Sequence, residues 1–118
     1  MFARMRLLIV DDERVCLEDL RAALKPAGYE IDTATNISDA LELFRADPHD
    51  CVITDFRMPE GDGVELLNHL PRKTNVIIIS GYGSEEIRGR PGAERALAFL
   101  AKPVNFRDLV NILDALEE

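Results

Sequence analysis

Four short apolar runs and one weakly alternating run, separated by amphipathic segments, limit what this chain can fold into. They occupy Arg6–Val10 and residues 29–33, 51–54, 76–79 and 97–101. Each is too short for a helix and suits a strand. The weakly alternating run 29–33 reads as an outer strand and the others as buried ones. The intervening segments carry a helical apolar period. Residues 13–25 set Leu17, Leu20 and Leu24 on one face and stop at Pro26 and Gly28. Asn36, with Asp39 three residues on, reads as a helix cap ahead of Ala40, Leu41 and Phe44. Asp62 with Glu65 repeats the pattern ahead of Val64, Leu67 and Leu70, after a turn-rich stretch at 59–63. Asn105 with Asp108 opens a last helix carrying Phe106, Leu109, Val110, Leu113 and Leu116.

Strand–helix alternation with single-helix crossovers implies an α/β protein, a five-stranded parallel sheet with helices on both faces. The run 76–79 is the most β-branched and is expected at the sheet centre. One segment breaks the rhythm. Where a fourth crossover helix belongs, residues 84–94 read SEEIRGRPGAE, with Ile87 alone clearly apolar. An interior proline costs about 3 kcal/mol and a glycine about 1. The fourth helix is therefore expected to be short or distorted beyond a first turn capped by Ser84, and more mobile than its counterparts.

Four of the five runs end in a polar residue: Asp11 and Asp12 after LLIV, Asp55 after CVIT, Ser80 after VIII, Lys102 after LAFLA. In a parallel sheet those ends share one edge, where ligands of open α/β sheets bind. Three carboxylates brought together repel one another and call for a counter-charge. Mg²⁺, a hard cation that takes carboxylate, water and phosphate oxygens, supplies it. An aspartate can also be a nucleophile toward phosphorus when a metal and a lysine neutralise the equatorial oxygens. Asp55, ending a central strand before a loop, is the best nucleophile. Asp11 and Asp12 would hold the metal, Lys102 would pair with a phosphoryl oxygen, and Ser80 would donate to another. Singly, each has a plainer reading: a helix-capping Asp11 or Asp12, a solvated Asp55, a turn Ser80, a strand-ending Lys102, a core Phe99. The conjunction of all five at strand ends outweighs those readings.

Other classes fall away. The net charge of −8 disfavours nonspecific binding to nucleic acid or anionic lipid. No apolar run approaches the roughly 20 residues of a membrane span, and no signal-peptide core precedes Asp11. Cys16 and Cys51 fit no metal or disulfide pattern and read as small buried hydrophobes in a reducing, cytoplasmic setting. His49 and His69, beside prolines in polar context, read as surface residues.

The motifs IVDDE at 9–13, TDFRMPEGDG at 54–63, IISGYG at 78–83 and FLAKPV at 99–104 together resemble the receiver domain of two-component response regulators, over essentially the whole chain. The resemblance implies a flavodoxin-like, doubly wound fold and a single receiver domain over residues 1–118. It implies Asp55 as phospho-acceptor, and Mg²⁺ held by Asp11, Asp12, Asp55 and the backbone carbonyl of Arg57. Lys102 matches the catalytic lysine, Ser80 the switch hydroxyl and Phe99 the switch aromatic. A cis Lys102–Pro103 peptide is expected, since cis is tolerable chiefly before proline. A sensor histidine kinase or phosphotransfer protein would donate the phosphoryl group. A downstream protein would then read the surface of the fourth helix, fifth strand and fifth helix, with a homodimer among the options. The chain departs from the family where Phe99 replaces a common tyrosine and where Arg95 replaces a common glycine. About one helix follows Pro103, so no output module is expected here; a stand-alone receiver and a piece of a longer regulator both fit.

Two other readings share the topology. An interaction-only pseudo-receiver would keep the fold without phosphorylation, against which the intact set of five residues argues. An aspartate-nucleophile phosphatase would carry nucleophile and acid after the first strand, and a flavodoxin-like flavoprotein would want more than 6% aromatics.

Overall fold

The chain alternates strand and helix from end to end in a computed structural model that describes residues 4–81 and 84–117. Strand β1 (Arg6–Val10) leads to helix α1 (Arg14–Leu24), β2 (Glu30–Ala34), α2 (Ile37–Ala46) and β3 (Cys51–Asp55). A two-stranded hairpin, β4 (Arg57–Met58) and β5 (Gly61–Asp62), precedes α3 (Gly63–His69). Then come β6 (Asn75–Ser80), α4 (Ser84–Arg88), β7 (Ala98–Ala101) and α5 (Phe106–Leu116). The main sheet is wholly parallel in the order β2-β1-β3-β6-β7. This is the doubly wound α/β architecture that the alternation implies.

Two apolar layers hold it together, one on each face of the sheet. Leu8, Val10, Val52, Val76 and Ile78 point toward α2, α3 and α4, meeting Leu41, Phe44, Val64, Leu67 and Ile87. Leu7, Ile9, Ile53, Ile77 and Ile79 point the other way onto Leu17, Leu20 and Leu24 of α1 and Leu109 and Leu113 of α5. Because successive strand residues face opposite sides, the interior strands must be apolar throughout, and every residue of β3 is buried.

The local signals work as the sequence suggests. Asn36, Asp62 and Asn105 accept backbone N–H bonds in the first turns of α2, α3 and α5. Gly28 ends the turn after α1 in the left-handed region at φ 97°, where a side chain is costly. The Lys102–Pro103 peptide is cis.

Three expectations need correction. The middle strand is β3, not 76–79; β6 is interior but lies one place further out. His49 is buried rather than on the surface, its Nε2 2.8 Å from Asp32 Oδ2 and its ring 5.9 Å from that of Phe44. Arg6 Nη1 donates to Asp47 O and Pro48 O and holds the loop from α2 to β3 against the start of β1, where His49 is buried. Cys16 is only half-buried, whereas Cys51 is wholly buried as expected.

The fourth helix is short, as the glycines and proline demand, at 5 residues. The chain after it is nonetheless tied down. Arg90 pairs with Asp62, Asn68 Nδ2 donates to Pro91 O over 3.0 Å, and Arg95 Nη2 donates to Leu70 O over 3.1 Å. Ile87 and Ala93 are both buried. Tyr82, Gly83 and the Ser84 side chain, expected as a cap, lie outside the described residues. No helix among the described residues is long and apolar enough to cross a membrane.

Candidate functional site

Sheet register alone brings the predicted residues to one rim. Val10 pairs with Thr54, so Asp11 and Asp55 follow side by side at the ends of β1 and β3. Asp55 pairs with Ile79, which sets Ser80 one step further out on β6; Ser80 pairs with Ala101, just before Lys102. The ladder runs past the strand ends: Phe56 N–H donates to Ile79 O over 2.7 Å and Lys102 N–H to Ser80 O over 2.9 Å. Gly63 allows α3 to start close beneath this rim. A Cβ there would stand 2.9 Å from the Asp55 carbonyl oxygen.

The side chains converge. One oxygen each from Asp11, Asp12 and Asp55 lie within 4.8 Å of one another, with Asp11 and Asp55 buried and Asp12 exposed. Lys102 reaches back so that Nζ stands 3.2 Å from Asp55 Oδ2 and 3.7 Å from Asp11 Oδ2. Asp12, Asp55, Arg57, Ser80 and Lys102 border one cavity of about 480 Å³. Asp11 Oδ1 also accepts the Glu13 N–H at 2.9 Å, but the N-cap of α1 is Glu13 and no side chain caps that helix, so the plainer reading of Asp11 or Asp12 as its cap does not hold.

Burial pushes the carboxyl groups of both Asp11 and Asp55 above the ordinary range. Asp12 adds to the effect on Asp11, and Asp11 to that on Asp55, while Lys102 opposes it at both. Lys102 loses solvation too, but the charges of Asp55 and Asp11 outweigh that and hold its ammonium above its usual value. The cluster is an anionic pocket with one cation too few. Its donor set is all hard oxygen, in the number that suits a small divalent cation with waters completing the shell.

Phe99 lies apart from these polar groups. It pairs with Ile78, packs on the α2–α3–α4 side, and carries the Arg88 guanidinium carbon 4.6 Å above its ring centre. Sequence reasoning missed Glu13, whose Oε1 is 3.8 Å from Lys102 Nζ, although the acidic run at 11–13 was a signal. It also missed the Arg57 side chain, 3.1 Å from Glu86 Oε1, for which nothing local gave notice.

Comparison with known proteins gives the family and the fold. Residues 7–114 match the model of the response regulator receiver domain. The chain is 30% identical to the response regulator receiver protein CpdR of Brucella abortus, covering 94% of this chain and 95% of that protein. It is 34% identical to the response regulator protein PilR of Pseudomonas aeruginosa over 92% of its own length, but spans only 26% of that relative. Among solved structures, a CheY-like receiver from Methanospirillum hungatei JF-1 is similar at a TM-score of 0.85 and 30% identity, covering 98% of each chain. TrrA of Thermotoga maritima, a response regulator solved in complex with Mg²⁺-BeF, is similar at 0.84 and 33% identity, covering 94% of this chain and 97% of that one.

Proposed function

This chain belongs to the response regulator receiver domain family of two-component systems, and from that premise we propose that it is a phosphorylation-dependent switch with Asp55 as phospho-acceptor. Its role is regulatory rather than that of a turnover enzyme. The observation that carries the reading is the Lys102 ammonium, 3.2 Å from Asp55 and 3.7 Å from Asp11, beside three clustered carboxylates. We further take residues 1–118 as a single receiver domain working in the cytoplasm.

Mg²⁺ would be held by Asp11, Asp12, Asp55 and the backbone carbonyl of Arg57. When bound, it neutralises phosphoryl oxygens and the surplus negative charge. An Asp55 oxygen attacks phosphorus, forming the new O–P bond. The bond to the donor imidazole nitrogen breaks, and its electron pair leaves with the nitrogen. Lys102 pairs with one phosphoryl oxygen and Ser80 donates a hydrogen bond to another, both acting on charge that develops in transit. Attack by water on the acyl phosphate reverses the modification. Drawing Ser80 toward the phosphoryl group would leave room for Phe99 to turn inward, reshaping the surface of α4, β7 and α5. The group biases that equilibrium only by binding the two conformers differently. Donors would be a sensor histidine kinase or a phosphotransfer protein, and the receiver of the signal a downstream protein, a second copy of this chain included.

Incubation with acetyl phosphate and Mg²⁺, followed by intact mass, tests the proposal. A single phosphoryl adduct is expected that disappears in Asp55→Asn and without metal. No adduct on the wild type would favour the pseudo-receiver, and turnover of many phosphate esters the phosphatase.

A further inference from the structure

The hairpin after Asp55 is gripped from outside the pocket by the segment that the sequence marks as irregular. Arg57 and Asp62 face each other across the hairpin. Each has a partner in or just after α4: Arg57 pairs with Glu86, and Asp62 with Arg90. Glu86 and Arg90 are about one helical turn apart, and the two pairs carry opposite charge order, so each excludes the other's register. All four side chains border one cavity together with Asp12 of the carboxylate cluster.

The two pairs differ in weight. Arg57 and Glu86 are more than half exposed and contribute little. The Asp62 side chain is 15% exposed, and its Oδ1 already accepts the N–H groups of Val64 and Glu65. Arg90 holds the remaining oxygen, so the cap of α3, the second hairpin strand and Arg90 form one unit. The Arg90 backbone is fixed in turn, because Asn68 holds Pro91 O and Ala93 is buried.

We infer that Arg90 is a positioning residue for cation binding: through Asp62 it fixes the hairpin backbone carrying Arg57, making Mg²⁺ uptake at the carboxylate cluster and the order of residues 84–95 mutually dependent. This rests on the proposed function, since Mg²⁺ is the cation that function requires. Dependence of this kind is reciprocal: whatever the ordered segment adds to cation affinity, the cation adds to the stability of that order.

Mg²⁺ titrations followed by backbone amide NMR, with melting curves in parallel, test it on the whole chain. Arg90→Met is expected to weaken Mg²⁺ binding about tenfold, the low end of outer-shell support, because Arg90 acts through Asp62 and the hairpin rather than on a ligand directly. Arg90→Lys, which keeps the charge and needs only one contact, should recover most of that loss. In the wild type, the amides of Gly89 and Arg90, bonded to Glu85 O and Ile87 O, should exchange several-fold more slowly with saturating Mg²⁺. Arg90→Met that melts lower yet binds Mg²⁺ like wild type makes Arg90 purely structural and overturns the inference. So does wild-type exchange at Gly89 and Arg90 that ignores Mg²⁺. A wild type that takes up no Mg²⁺ overturns both this inference and the function it rests on.

Discussion

Replacing Asp55 with Asn should make the metal-free protein more stable at neutral pH, although it removes the group on which the proposed function depends. Burial, reinforced by Asp11, disfavours the charged form of Asp55 in the folded state. The Asp11 and Asp12 oxygens lie within 4.8 Å, and at an effective dielectric near 20 each repels the Asp55 charge by about 3.5 kcal/mol. Lys102, at 3.2 Å, attracts it by about 5 kcal/mol on the same scale. Exposure of Asp12 screens its share, while lost hydration adds to the deficit, leaving about 1–2 kcal/mol against the ionised carboxylate. The sign in pH follows from the raised carboxyl. Where Asp55 is protonated in both folded and unfolded chains, Asn gains nothing. The gain appears as pH rises through the ordinary carboxylate range and is complete above the folded-state value. Urea unfolding followed by circular dichroism in EDTA, from about pH 3 to 8, reads this directly, and the gain corresponds to roughly 3–8 °C in Tm. Saturating Mg²⁺ should shrink or reverse it, because the wild type binds the cation more tightly. An Asn variant less stable than wild type at pH 7 without metal would refute the reasoning, as would a gain undiminished in acid.

Three further outcomes follow from packing. Gly63→Ala places a methyl 2.9 Å from the Asp55 carbonyl oxygen and 3.1 Å from Thr54 Cγ2; a loss of about 1–3 kcal/mol in denaturant midpoint and slower adduct formation from acetyl phosphate are expected. Ile87 is 1% exposed, so Ile87→Ala should cost about 2–4 kcal/mol; a calorimetric loss under about 0.5 kcal/mol would mean that α4 is no part of the core. Cys51, wholly buried with its thiol pushed up to about 12, should resist Ellman's reagent until the protein unfolds, whereas half-buried Cys16 should titrate in the native state.

The sheet and the pocket were legible for one reason. In a parallel sheet the side-chain period is two and the connections are long, so apolar runs locate the strands and strand ends locate the rim. Asp11, Asp55, Ser80 and Lys102 needed no further information to be drawn together. The capping residues were legible because a cap bonds within three residues of itself. What escaped depends on contacts distant in sequence. The burial of His49 follows from Asp32, seventeen residues earlier, and Phe44, which no local pattern announces. The order of the strands likewise depends on which crossover packs on which face, so β-branching alone put β6 in the middle. The segment 84–95 is the sharpest case. Its glycines and proline announced a broken helix, but not Arg90, Pro91 and Arg95 meeting Asp62, Asn68 and Leu70 of the third crossover.

The uniform direction of the five main strands gives the molecule two poles with unequal tolerance. Chemistry collects at one; at the other, short connections such as the turn closed by Thr74 N–H on Pro71 O simply return the chain to the next strand. Arg72 and Lys73, both exposed there, are therefore natural places for a fluorophore or surface tether, because a bulky graft at that pole stands a full strand length away from the carboxylate cluster.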